Sequence, residues 1–277
     1  MSPNAYCQQK AAASGSSFYY SFTFLPPERR QAITALYAFC REVDDIVDEG
    51  GDVHTAAAQL DAWRSEIERL YAGTPRHPVA QALGEAMTHI CLPKEYLLEI
   101  IDGMAMDLHE GRYPDFKSLL LYCHRVAGVV GLLAAEIFGY QNQRTLKYAH
   151  DLGIAFQLTN ILRDIGEDAR RGRIYLPLDE LARFSVTAED ILGAHDSPAF
   201  HRLMAFQIER AERYYEQALE QLPPCDRKAQ RPGLVMAAIY RAVLEEIKRR
   251  GGQTLTRRIS LTPLRKLWIA WHTWFKA

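Results

Sequence analysis

The sequence lacks most of the features that assign a chain to a class at sight. It has no C-x-x-C pair, and its five cysteines (Cys7, Cys40, Cys91, Cys123, Cys225) are odd in number and widely spaced. That fits reduced thiols better than a disulfide framework or a structural zinc site and predicts a cytoplasmic protein. Charge excess is missing too, with a formal net charge of -1 and an isoelectric point near 6.8. Binding along a phosphate backbone needs a marked surplus of Lys and Arg, so no nucleic-acid partner is expected and any anionic ligand must be held by local clusters. Residues 1–10 are polar and lack the apolar core of a signal peptide. No run approaches the ~20 apolar residues of a membrane span, so an integral membrane protein is not expected. There is no Gly/Ser linker, no repeat at a period of roughly 20 to 50 residues, and almost no alternating β-branched stretch. None of the nine histidines follows a Glu by three, which excludes the paired Glu-x-x-His motifs of a di-iron bundle.

What the chain does have is apolar residues at spacings of three and four, filled in by Ala, Leu, Glu, Gln and Arg, a pattern that predicts an all-α fold. Pro and Gly mark the breaks: Pro26-Pro27, Gly50-Gly51, Gly73-Thr74-Pro75, Leu92-Pro93, Tyr113-Pro114, Gly139, Gly172, Leu176-Pro177, Pro223-Pro224 and Gly251-Gly252. These predict roughly eight to ten helices. With 277 residues, 48% of them hydrophobic, the chain is large enough for one helical domain over 1–277 that encloses a cavity.

Two helical stripes carry the candidate chemistry. Tyr37, Arg41, Asp44 and Asp48 are spaced 0, 4, 7 and 11, so a helix stacks them on one face. Gln157, Asn160, Asp164 and Asp168, spaced 0, 3, 7 and 11, form a second stripe. Both lie among apolar residues such as Ile33, Leu36, Phe39, Ile154, Leu158 and Ile161, which sends both helices to the interior. Like charges one turn apart oppose a helix, and desolvation costs several kcal/mol per ion, so a cation is implied. Oxygen donors without His or Cys point to a hard cation such as Mg²⁺, which shares its coordination with substrate phosphates. The plainer alternative is a pair of solvated helix faces neutralised by neighbours such as Arg41 and Arg163. A non-catalytic helical interaction module would have no reason to bury two such stripes.

A third segment, from Tyr122 through Gly128 and Gly131 to Ala135, is apolar and rich in small residues. Tight helix packing and cavity lining explain it equally well. Asp102 and Asp107, five apart, share a helical face poorly and are expected to be structural; His109 and His124 are expected to be satisfied polar residues, not ligands.

Asp44-Asp45-Ile-Val-Asp48-Glu49, Tyr122-Cys-His-Arg125-Val-Ala-Gly128 and Asn160-Ile-Leu-Arg163-Asp164-Ile-Gly-Glu167-Asp168, followed by Arg173-Ile-Tyr175-Leu-Pro177, resemble the squalene and phytoene synthase family. The resemblance runs from about Tyr6 to Arg265. It implies a single-domain, all-α isoprenoid-synthase bundle that joins two prenyl diphosphates head to head. Within the family, the stretches Tyr6 to Phe22 and Leu25 to Arg30 are most similar to bacterial presqualene diphosphate synthases of the hopanoid pathway. That likeness implies farnesyl diphosphate as substrate, Mg²⁺, no NADPH and downstream squalene-forming enzymes as partners. A squalene synthase that uses NADPH and a phytoene synthase that uses geranylgeranyl diphosphate are the alternatives. By resemblance, Asp44, Asp48, Asp164 and Asp168 hold Mg²⁺ and the diphosphates, with Gln157 and Asn160 assisting. Ser17, Phe18, Tyr37, Arg41, Tyr122, Arg163, Arg173, Tyr175, Tyr240, Arg257 and Arg265 fall where the family keeps diphosphate-binding and pocket residues. Where some relatives carry a His ahead of that Ser-Phe pair, this chain has Ser14.

The segment 264–277 sets Leu267, Trp268, Trp271, Trp274 and Phe275 in helical register beside Arg265 and Lys276. The pattern fits a helix at the inner face of a membrane as well as it fits a last helix docked on the domain.

Overall fold

A computed structural model describes residues 1–13, 21–22, 24–49, 52–109 and 111–276. Ser17 and Phe18 lie outside the described residues. The chain is all-α, as the periodicity predicts. Among the described residues the order is α1 (Pro3–Ala13), α2 (Pro27–Glu49), α3 (Val53–Tyr71), α4 (Pro78–Met87), α5 (Lys94–His109), α6 (Phe116–Cys123), α7 (Val129–Phe138), α8 (Arg144–Arg170), α9 (Leu178–Arg183), α10 (Ala188–Leu192), α11 (Pro198–Gln221), α12 (Arg231–Arg250) and α13 (Pro263–Lys276). The only extended pairing among them is an isolated parallel bridge between Arg112 and Ile174. The thirteen exceed the expected eight to ten because α6 and α7 are two stretches of one continuous rod and because two short helices, α9 and α10, follow the Leu176-Pro177 break. Each has acidic residues in its first turn, and α10 has a capping box formed by Thr187 and Asp190. Such local signals nucleate short helices without an apolar stripe long enough to register as periodicity.

The predicted breaks fall between helices, and the caps explain why. Asp52 accepts hydrogen bonds from the His54 and Thr55 amides to start α3, and Ser197 caps α11 ahead of Pro198. Gly139 ends α7 at φ 80°, a left-handed conformation that only glycine adopts freely. Across the chain, Asp226 accepts from the Gln141 and Asn142 amides and from the Thr145 hydroxyl, so its carboxylate holds the start of α8.

Two hydrophobic clusters make up the core. One joins α2 to α5 and α7 through residues such as Phe39, Trp63, Leu97 and Leu133; the other surrounds α8 with α11 and α12 through Leu158, Tyr215 and Ile239. Val126 and Trp274 pack against both. Helices α6 and α7 are joined by one π-helical turn, His124–Gly128, giving an unbroken rod from Phe116 to Phe138. Its length, and a mean hydropathy of 1.6 over its most apolar 18 residues, would let it cross a membrane. The run was not evident in the sequence because Lys117, His124 and Arg125 interrupt it. In the fold it is a core helix packed against α5 and α8.

Both readings of the small-residue segment hold. A Cβ on Gly131 would come 2.1 Å from the Ala149 carbonyl oxygen, so α7 lies against α8 at a distance that only glycine permits, and Gly131 also borders the central cavity. A second such contact lies on α8, where a Cβ on Gly166 would sit 2.1 Å from the Leu255 carbonyl oxygen. That clearance seats the 3₁₀ turn Gly251–Leu255 on α8 and with it the chain that follows.

Candidate active site

A cavity of about 680 Å³ opens between α2, the α6–α7 rod, α8 and α12. Its walls are largely apolar, among them Leu36, Met104, Val130, Ala134, Phe138 and Leu152, and its polar side takes the near end of each predicted stripe; of the four aspartates only Asp44 lines it. Helix α2 contributes Tyr37, Arg41 and Asp44; α8 contributes Gln157, Asn160 and Arg163. Each helix spends its other faces on the core, which leaves one face free to carry charge.

The acidic pairs are held by guanidinium groups. Arg41 Nη1 donates to Asp44 Oδ2 at 2.6 Å, and its Nη2 to Asp45. Asp48 accepts from Arg173 at 2.9 Å and from Arg171 at 2.7 Å. Asp164 accepts two bonds from Arg163, at 2.8 and 2.5 Å, and lies 3.0 Å from Arg258 Nε. The neutralised-face arrangement therefore exists, but it is half-buried beside the cavity and not on an open outer face, with Arg41, Asp44, Arg163 and Arg258 on the cavity wall itself. Burial pushes the Asp44 carboxyl up to about 6, with Arg41 opposing and Asp48 and Asp45 adding to the rise. Asp168 is pushed up to about 7, first by burial and then by the charge of Asp164, against the pull of Arg173. These carboxylates remain short of positive charge despite their arginines.

Asp107 belongs to the same site. Its two oxygens accept from the Tyr122 hydroxyl at 2.9 Å and the Tyr175 hydroxyl at 2.8 Å. The two rings stack with centroids 5.2 Å apart. Burial lifts Asp107 to about 6, with Tyr175, Arg173 and Tyr122 opposing and Asp48 adding to the rise. Both phenols are raised well above their ordinary range, by burial and then by the Asp107 charge. Asp102, by contrast, forms an ion pair with Arg64, the structural role expected of it. His124 Nδ1 lies 2.9 Å from His150 Nε2, again as a satisfied polar pair.

Of the remaining candidates, Tyr240 borders the cavity, its ring 4.8 Å from that of Phe156. Arg257 and Arg265 do not line the cavity, and Arg265 faces Glu246 at 3.8 Å. Their sequence neighbours Arg258 and Lys266 line it instead. Lys266 is lowered by burial and by the charges of Arg163 and Arg258, which marks the rim as strongly cationic. Sequence reasoning missed Asp107, Arg171, Arg258 and Lys266.

The donor set suits a hard cation. Asn160 Oδ1 is buried and has no hydrogen-bond partner, an orphaned acceptor that costs on the order of 1–3 kcal/mol unless something donates to it or is coordinated by it. It lies on the face that carries Asp164 and Asp168. Among the described residues no three of His, Cys, Asp and Glu close around a single point. An ion here would complete its shell with phosphate oxygens and water, the habit of Mg²⁺.

The squalene/phytoene synthase family model matches residues 11–265. The chain belongs to the squalene/phytoene synthase family. Members of this family are prenyltransferases of the isoprenoid-synthase fold. The chain is 37% identical over 273 residues to a 15-cis-phytoene synthase of Synechococcus elongatus, covering 94% of this chain and 89% of the relative. It is also 37% identical over 274 residues to a phytoene synthase of Arthrospira platensis, with the same two coverages. Among solved structures it superposes on a dehydrosqualene synthase with a TM-score of 0.88 at 28% identity, covering 98% of this chain and 95% of that one. The squalene synthase HpnC of Alicyclobacillus acidocaldarius matches with a TM-score of 0.80 at 30% identity, over 90% of this chain and 94% of that one. For a squalene/phytoene synthase family member, a cavity with an acidic and cationic rim and apolar walls is what prenyl diphosphates require: charge at one end, hydrocarbon at the other.

Proposed function

We propose that this chain condenses two geranylgeranyl diphosphates head to head to phytoene, releasing two diphosphates. The observation that carries the condensation is one apolar cavity whose polar side bears Asp44 from the first stripe and, from the second helix, Gln157, Asn160 and Arg163, the last paired with Asp164; the choice of product rests on the 37% identity to phytoene synthases. The presqualene diphosphate reading, from two farnesyl diphosphates, is the second. It is supported by the likeness to dehydrosqualene synthase and to HpnC and by the N-terminal motifs, but the phytoene synthase relatives outweigh it. The squalene reading adds a reduction by NADPH, which neither of the other two requires.

Ionising an allylic diphosphate breaks its C1–O bond and leaves an allylic cation and a diphosphate anion, so the site must stabilise both charges. Asp44, Asp48, Asp164, Asp168 and Asn160 would hold Mg²⁺, which supplies Lewis-acid stabilisation of the departing diphosphate. Arg163, Arg173, Arg258 and Lys266 would add fixed positive charge around the same oxygens. Tyr37, Phe156 and Tyr240 present aromatic faces to the cation, and the apolar walls keep water from capturing it. The C2=C3 bond of the second substrate attacks C1 of the cation, and loss of a proton closes a cyclopropane that still carries the second diphosphate. Breaking the C–O bond to that diphosphate, rearranging the ring to a 1–1′ link and losing a second proton give phytoene and the second diphosphate. Tyr122 and Tyr175, held by Asp107, stand at the polar end, where the proton and the diphosphate depart.

The test is an incubation of purified protein with Mg²⁺ and either farnesyl or geranylgeranyl diphosphate, with and without NADPH. Phytoene from the C20 substrate is expected. Presqualene diphosphate as the sole product would select the second reading, and squalene formed only with NADPH the third. Asp44→Asn and Asp164→Asn should each abolish turnover with the fold intact. A well-folded, fully active variant would sink the proposal.

A further inference from the structure

Helix α13 is docked by one face and bare on the opposite one. Ile269 and Ala270 are buried, and the Trp274 ring packs 5.2 Å from that of Phe24 and lies under the Arg231 guanidinium. The outward side carries Leu264, Leu267, Trp268, Trp271 and Phe275, each 50% to 79% exposed. At 3.6 residues per turn these five fall within an arc of about 100°, opposite Ile269 and Ala270. Five such side chains expose an apolar area on the order of several hundred Å², the size of the largest patch on a typical monomer and often a functional one. Water gains nothing from that surface, and no other part of the described chain covers it.

Charge decides what does cover it. From Lys248 to the end the chain holds eight Lys and Arg and no Asp or Glu, although its overall net charge is -1. A second copy seated on the same face across a two-fold axis would bring this basic segment against itself. An anionic lipid surface would complement it, with Trp and Phe at the headgroup level and cations alongside.

We propose that α13 is an interfacial helix that seats the protein on an anionic bilayer, its Leu264, Trp268, Trp271 and Phe275 side inserted and the basic segment against the headgroups. The docking stands apart from the product formed, yet it bears on the site. Ile259 to Leu261, Pro263 and Lys266 line the cavity, so the segment that meets the lipid also forms part of the cavity wall.

The experiment is co-sedimentation of the full chain with phosphatidylcholine vesicles, with and without phosphatidylglycerol, for wild type and W268E/W271E. Three of the four tryptophans lie in α13, so a blue shift of tryptophan emission reports insertion. Wild type should bind the phosphatidylglycerol vesicles, more weakly as salt rises, and phosphatidylcholine alone poorly. W268E/W271E should bind roughly tenfold more weakly or worse, with an unchanged thermal melt and unchanged turnover of detergent-dispersed substrate. Equal binding by the two proteins, or no binding by wild type, overturns the proposal. So does a wild-type dimer in solution that W268E/W271E converts to monomer while neither protein binds vesicles. Absence of turnover in both proteins, with wild type binding the vesicles and W268E/W271E not, would count against the proposed function and leave α13's role standing.

Discussion

Replacing Asp107 with Asn should make the protein more stable and less active at neutral pH. In the folded state the carboxyl is lifted from 3.8 to about 6, chiefly by burial, and each pH unit corresponds to about 1.4 kcal/mol. The cost of charging Asp107 in the fold therefore has a ceiling of ~3 kcal/mol. The carboxyl keeps some access to water, and the amide matches two phenol donors imperfectly, so about 1 kcal/mol should be recovered. For a chain of this size that is a rise in Tm of about 2–4 °C. The sign follows from linkage: a carboxyl with a raised folded pKa lends stability below its unfolded value and loses it as pH rises through about 6. The advantage of Asp107→Asn should thus be near zero at about pH 4, grow through pH 6 and level off above it. Turnover should fall roughly ten- to a hundredfold with KM moved less, because one of Tyr122 and Tyr175 must reverse its hydrogen bond and the charge behind both is gone. Thermal melts across pH, together with steady-state kinetics, are the assays. A variant that melts lower than wild type at about pH 7.5, or whose advantage is the same at every pH, would refute the reasoning.

Gly166→Ala should push the Leu255 carbonyl away, because its new Cβ would start 2.1 Å from that oxygen. The expected cost is about 1–3 kcal/mol, read as a lower Tm, together with a raised KM as Arg258 is carried off Asp164. Chelation by EDTA should abolish turnover and added Mg²⁺ restore it, while the helical circular dichroism stays unchanged. Turnover that survives chelation would argue against the oxygen-donor reading of Asn160 and the aspartates.

Both aspartate stripes could be read from the sequence because helix geometry is periodic: residues at i, i+4 and i+7 must share a face whatever surrounds them. The same logic failed at Asp107. Its spacing to Asp102 carries no information about its partners Tyr122 and Tyr175, which lie on other segments, and no local rule connects residues that far apart in sequence. Arg257 and Arg265 were each one position from Arg258 and Lys266. The chain from Thr256 to Thr262 is irregular, so nothing in its spacing sets the phase with which a side chain meets the cavity. The helix breaks were legible because Pro, Gly and capping residues act within three or four positions. The packing of α7 on α8 was half legible, since small residues signal closeness but not to what.

Each aspartate pair already has guanidinium partners of its own: Arg41 on Asp44, Arg171 and Arg173 on Asp48, Arg163 and Arg258 on Asp164. Without ligand the pocket is an internal salt, its acids occupied by the same cations that a diphosphate would attract. Filling it is therefore a partner exchange. As the carboxylates turn to a divalent ion, the arginines are released toward phosphate oxygens, and neither half of the exchange is favourable alone. Cation and diphosphate should then bind synergistically, each tightening the other, and calorimetric titration of pyrophosphate with and without Mg²⁺ would measure by how much.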